Sequence, residues 1–139
     1  MTEYVAGFMF EGDRAALIRK KRPAWQLGKL NGIGGHIEDG ESPLDAMVRE
    51  FREETGYDTI SLDWKPVAEL EGMGFRVHFF YSYGDLSKLK TTTDEEIVIV
   101  DVDYLRVCDT IPNLAWLIPM AKSLEFDSSA SYFLIQEAA

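Results

Sequence analysis

The chain has a single cysteine, Cys108, in 139 residues. An internal disulfide is therefore impossible, and no second Cys or nearby His makes Cys108 part of a zinc site. Long apolar runs are also missing. None reaches the roughly 18 residues that a bilayer span requires. The first ten residues, Met1 to Phe10, contain Glu3 and no basic residue, which is unlike a secretory leader. Basic residues are scarce: Lys and Arg total 14 against 24 Asp and Glu, for a net charge of -10. That balance argues against long nucleic acids, whose binding rests on phosphate neutralisation, and against anionic membrane surfaces. Charge sets steering and not fold, so a small anion can still bind if cations bridge it. Linkers, repeats and low-complexity tracts are absent too. These exclusions give the expectation of one cytoplasmic domain spanning residues 1–139 with a small-molecule partner, homodimerisation being left open.

What is present is a 46% apolar chain, ample for a core. Tyr4 to Phe10 and Arg14 to Lys20 flank Glu11-Gly12-Asp13, which predicts a β-hairpin. Residues 23–35 carry Pro23, Gly28, Asn31, Gly32, Gly34 and Gly35, and read as a long loop or a loop broken by a short strand. Ser42 to Thr55 reads as a helix: Ser42 is an N-cap, Pro43 the first helical residue, and Asp45 a first-turn acid. Leu44, Met47, Val48 and Phe51 form its apolar stripe, and Gly56 suits a left-handed C-cap. Ser61 to Leu70 has weaker strand character. Phe75, Val77, Phe79, Tyr81 and Tyr83 alternate as in a half-buried strand. Ile97 to Val100 suggests a strand buried on both faces. Leu114 to Leu124 has helical spacing, with Pro119 expected to kink or break it. Tyr132 to Ile135 suggests a last strand. Together these point to an α/β sandwich with a mixed sheet.

The first helix has a second face holding Arg49, Glu50, Glu53 and Glu54. Glu50 reaches Glu53 at i+3 and Glu54 at i+4, spacings at which like charges destabilise a helix by roughly 0.2–0.5 kcal/mol per pair. A solvated charged face is one reading. The other is a hard divalent cation, because Mg²⁺ and Mn²⁺ prefer oxygen ligands and take substrate phosphates into their shell.

The wider spacing shifts the balance between them. Gly35 is followed after five residues by Glu41, and after seven more by Arg49-Glu50-Phe51-Arg52-Glu53-Glu54-Thr55-Gly56-Tyr57. This resembles the Nudix hydrolase signature G-x5-E-x7-R-E-U-x-E-E-x-G-U, where U is a bulky apolar residue. Every fixed position matches, and a chance match arises about once in 10⁸ to 10⁹ start positions. Phe51 and Tyr57 are aromatic at the U positions, where aliphatics are more usual. The resemblance implies a Nudix-type α/β/α sandwich with a mixed central sheet. It also implies Mg²⁺- or Mn²⁺-dependent hydrolysis of a nucleoside diphosphate linked to another group. Under it Glu50, Glu53, Glu54 and the Gly34 carbonyl would be metal ligands, and Arg49 would hold the glutamates, paired with Glu41. The general base would be Glu53, or Glu95 ahead of the Ile97 to Val100 strand. Asp94-Glu95-Glu96 is otherwise a solvated turn.

For the substrate, residues 21–35 look like the MutT-like branch acting on oxidised purine nucleoside triphosphates. There Asn31 would hydrogen-bond the base, since an amide offers a donor and an acceptor; otherwise it shapes a turn beside Gly32. Asn113 and Trp116 would face the base as well, although best-known members of the branch have acidic residues where this chain has Asn113 and Leu114. Asn113 is alternatively a helix cap. Lys21 and His36 would meet phosphates, and His78 reads as structural. Trp25, Phe8 and Phe79 are further stacking candidates. The expected reaction yields a nucleoside monophosphate and pyrophosphate; ADP-ribose, a nucleotide sugar or a dinucleoside polyphosphate are the alternatives, and a non-catalytic nucleotide sensor is the rival class.

Overall fold

The computed structural model describes residues 1–124 and 132–136. The expected hairpin is there: β1 (Thr2–Glu11) turns at Gly12, φ 58°, into β2 (Arg14–Arg19), with Glu11 opposite Arg14. The glycine-rich stretch contains two short strands, β3 (Leu30–Asn31) and β4 (Ile33–His36). Helix α1 (Pro43–Thr55) follows, then β5 (Lys65–Gly72), β6 (Phe75–Tyr83), β7 (Glu96–Asp101), α2 (Leu114–Ser123) and β8 (Tyr132–Ile135).

Among the described residues eight strands form one mixed sheet in the order β3-β2-β1-β6-β5-β8. β1 runs parallel to β6 along nearly its whole length, from Thr2–Phe75 to Phe10–Tyr83. Its other edge is forked. Met9 to Glu11 pair with β2, whereas Tyr4 to Gly7 pair antiparallel with β4. β7 pairs with the far side of β2.

Alternation along β1 supplies two cores. Ala6, Phe8 and Phe10 pack with Leu114, Leu117 and Ile118 of α2. Val5 and Met9 pack with Ala46, Met47 and Phe51 of α1. Because successive strand residues face opposite sides, the helices cover opposite faces, which is the expected α/β/α sandwich.

Helix α1 has the predicted bounds. The Ser42 hydroxyl accepts from the Asp45 amide at 3.1 Å, and Gly56 closes the helix at φ 73°. Its buried stripe differs: Ala46, Met47, Glu50, Phe51 and Thr55 are buried, with Leu44 and Val48 at its margin. Glu50 therefore lies inside the packed face and not on a solvated one.

Four other expectations are corrected. β6 is covered on both faces from His78 to Ser82, because it lies between β1 and β5 under both cores. β7 is only partly buried, with Ile99 38% exposed, because it pairs with β2 alone and forms a sheet edge. α2 continues unbroken through Pro119. β5 begins at Lys65, after a 3-10 turn over Ser61–Asp63. No helix among the described residues is long and apolar enough to cross a membrane.

Candidate active site

The site is built on the fork in β1. β4 pairs there with β1 and packs against α1, which brings Gly35 to Glu50 and the His36 carbonyl to Arg49. Two glycines permit the approach. A Cβ on Gly34 would lie 1.9 Å from the Val5 carbonyl oxygen, inside β1. A Cβ on Gly35 would lie 2.6 Å from the Glu50 carboxylate, so only glycine lets this backbone rest against it.

Arg49 organises the surroundings. Its Nε and Nη2 donate to the two Glu41 oxygens at 2.8 and 2.9 Å, a bidentate pair. Nη2 also donates to the His36 carbonyl at 2.9 Å, and Nη1 to Glu50 at 3.0 Å and Glu53 at 3.3 Å. The guanidinium, beside Glu41 above all, is held firmly in its charged form. Arg49 in turn holds the Glu41 carboxyl below its usual range. Glu50 goes the other way. Burial pushes its carboxyl up, against the pull of Arg49.

Glu54 stands apart from Arg49. Its Oε2 accepts from the Thr93 hydroxyl at 2.9 Å, and burial again pushes the carboxyl up. Beyond Thr93 lies Glu95, 4% exposed. Its carboxylate accepts from Lys20 Nζ at 2.9 Å and from the Lys21 amide at 2.6 Å. Burial alone would raise Glu95, but these two donors and the Arg22 amide outweigh it and hold the carboxyl below its usual range.

Glu41, Arg49, Glu50, Glu53 and the His36 carbonyl thus form one network, and Glu54 and Glu95 a second, joined by Thr93. Lys21 lines a groove of about 420 Å³ with Lys20, Gly28, Asp94 and Glu96, on the far side of Glu95. A larger hollow of about 530 Å³, between Leu44, His78, Phe80 and Phe133, is lined by none of Glu41, Arg49, Glu50 and Glu53. Carboxylate chemistry, and not size, selects the site. The His36 ring stands 4.5 Å from that of Tyr4.

The candidate nucleoside residues are placed elsewhere. Asn31 is bonded at both ends of its amide, accepting from the Gly32 amide at 2.7 Å and donating to Gln26 at 3.0 Å. Its strand is joined to the segment before α2, where the Ile111 amide donates to the Leu30 carbonyl at 3.1 Å. Asn113 makes no side-chain cap, and its buried Oδ1 has no protein partner among the described residues. Trp116 is 40% exposed and Trp25 61%. Phe8 and Phe79 are core residues stacked on each other. His78 bridges Glu3 of β1 and Glu69 of β5, as a structural residue would.

The donor set fits a hard divalent cation, since carboxylates 50, 53 and 54 and the β4 carbonyls offer oxygen alone, and the Gly35 cradle keeps that face open. Among the described residues no three acidic or imidazole side chains are gathered around one point as they stand. Arg49 holds Glu50 and Glu53, and Thr93 holds Glu54. Taking up a cation means turning Glu53 from Arg49, whereas Glu54 can offer Oε1 while its Oε2 stays on Thr93. Thr93 and Lys20 were not singled out from sequence. The run Thr91-Thr92-Thr93 beside three acids was the only trace of them.

Comparison with known proteins identifies the family and the fold. The NUDIX domain family model matches residues 2–116, most of the chain, and the chain belongs to this family. A curated relative, an uncharacterized Nudix hydrolase YvcI of Bacillus subtilis (strain 168), is 40% identical over 55 residues, covering 40% of this chain and 32% of that protein. The match therefore spans about a third of the relative's length. A NUDIX hydrolase from Nitrosomonas europaea superposes with a TM-score of 0.75 at 14% identity, over 99% of this chain and 79% of that one. The mutator MutT protein from Bacillus halodurans gives 0.70 at 17% identity, over 86% and 80%. At such identities the structures speak for the fold.

Proposed function

We propose that this protein is a divalent-metal-dependent pyrophosphohydrolase that cleaves a nucleoside triphosphate, with water, to the monophosphate and pyrophosphate. The observation that carries the reading is the Arg49 hub. It gathers Glu41, Glu50 and Glu53 against the glycine-floored β4, with Glu54 on the flank. Glu50, Glu53, Glu54 and the Gly34 carbonyl would hold Mg²⁺ or Mn²⁺. The chemistry such an ion supplies when bound is neutralisation of phosphate charge and acidification of water. It would also reconcile a chain of net charge -10 with a polyanionic substrate.

The residues divide the remaining work. Glu53 is the general base in this reading, because its carboxylate is 55% exposed and held only loosely by Arg49. Glu95 is less suited to taking a proton, with Lys20 and two amides already on it. It anchors the loop instead. Lys21 and His36 would meet phosphate oxygens, and Asn31, Asn113 and Trp116 the nucleoside. Cytoplasmic nucleotides are the pool this implies. Because Asn31 is already bonded at both ends, another nucleoside diphosphate derivative is the second reading.

The test is product release from a panel with Mg²⁺: canonical and oxidised nucleoside triphosphates, ADP-ribose, nucleotide sugars and dinucleoside polyphosphates. Release of pyrophosphate from a triphosphate, lost in Glu53→Gln and Glu54→Gln, is the expected result. Turnover of another class only would replace the substrate, and binding without turnover would make the protein a sensor.

A further inference from the structure

Helix ends leave carbonyls without intrahelical partners, and α1 ends at the glutamates. Residues 90–93 satisfy two of these groups from across the fold. The Lys90 amide donates to the Thr55 carbonyl at 3.0 Å, and the Thr92 hydroxyl donates to the Glu53 carbonyl. The next hydroxyl, Thr93, turns to a side chain and donates to Glu54 Oε2 at 2.9 Å. A hydroxyl has one proton. Thr93 Oγ1 accepts from the Glu95 amide at 3.2 Å, and its contact to the Glu95 carbonyl is longer, 3.4 Å. The proton is therefore directed at the carboxylate, where a hydrogen bond is charge-assisted. Glu95 is itself pinned to the end of β2 by Lys20 Nζ and the Lys21 amide. A chain of contacts thus runs from β2 through Glu95 and Thr93 to Glu54.

Glu54 needs this hold. Arg49 binds Glu41, Glu50 and Glu53 but not Glu54. Nearby Glu53 and Glu95 repel its charge. A free Glu side chain has several rotamers to lose on binding.

We propose that Thr93 is a positioning residue that fixes the Glu54 carboxylate at the metal-binding edge of α1, so that this ligand is pre-set before a cation arrives. The inference rests on the metal reading of the same site. Thr93 touches no reacting atom; it acts through Glu54.

The test is Mn²⁺ titration of metal-free protein by calorimetry, with melting in EDTA as the check on folding. Thr93→Val weakens Mn²⁺ binding about tenfold while Thr93→Ser stays within about twofold of wild type, since only the hydroxyl matters. In a Glu54→Ala background, Thr93→Val makes no further difference, because the group it positions is gone. If Thr93→Val does not fold, Thr93→Ala, which also removes the hydroxyl, takes its place in the same cycle. Equal affinity of wild type and Thr93→Val overturns the inference. So does an equal loss with and without Glu54, which would mean that Thr93 acts on the fold as a whole. Mn²⁺ binding that is absent from the wild type itself overturns the metal reading and this inference together.

Discussion

A guanidinium offers five N–H donors in one plane, and Arg49 places them on three carboxylates and a backbone carbonyl. Those carboxylates do not share one fate. Glu50 lies above its usual value through burial, whereas Glu95, beyond Thr93, lies below it because its donors outweigh burial. The signs of their contributions to stability are therefore opposite. A lowered acid contributes stability above its unfolded value, 4.5, and loses it as pH falls through the folded value. Glu95→Gln melts below wild type at neutral pH, and the gap narrows under pH 4.5. A raised acid weakens the fold once ionised. Metal-free Glu50→Gln is thus at least as stable as wild type at neutral pH, with the advantage closing as pH falls toward 4.5. Melting curves of the three proteins across pH check both, and parallel curves would sink the assignment. A residue that weakens the metal-free fold where a ligand is needed is the usual stability–activity compromise.

At the scale of the element, β4 and α1 are set against each other by two glycines with different neighbours. Gly34→Ala would drive a Cβ into the β1 backbone, which cannot give, whereas Gly35→Ala presses only on the Glu50 side-chain terminus. Gly34→Ala therefore lowers the melting temperature sharply. Gly35→Ala leaves it nearly unchanged and lowers kcat about 100-fold by displacing a carboxylate. Melting and turnover measured together separate the two. Helix α1 was legible because its signals are local: the Ser42 cap, Pro43 and Gly56 all lie within the segment. The glutamate face was legible from spacing alone. β7 was misjudged, since Ile97 to Val100 looks the same whether or not a strand has a second neighbour. The threonine contacts were illegible for a related reason. They join residues 39 apart in sequence, such as Thr93 and Glu54, through pairings that only the assembled sheet decides. The burial of Glu50 is not legible, because helical spacing places it beside the apolar stripe without showing how far α1 is rolled against the sheet.

For the whole molecule the net charge of -10 and the packed carboxylates predict coupling of metal to folding. A cation at 100 times its Kd stabilises by about 2.7 kcal/mol, a rise of roughly 5 °C or more in Tm for a domain this size. Mg²⁺ should produce that rise and EDTA reverse it, while NaCl at equal ionic strength does not. An equal Mg²⁺ effect in the Glu53→Gln, Glu54→Gln double variant would attribute it to general screening instead. The fork of β1 has a mechanical meaning on this scale. The Gly34–Gly35 backbone is clamped to the strand that β2 and β6 also hold, so this wall of the site cannot loosen without unzipping the middle of the sheet. The opposite wall is side chains at a helix end, gripped by one hydroxyl and one guanidinium. Such a site would work like a vice with one fixed jaw and one sliding jaw, in which Glu53, the more loosely held carboxylate, takes up differences in size between one ligand and another while Thr93 keeps Glu54 in place.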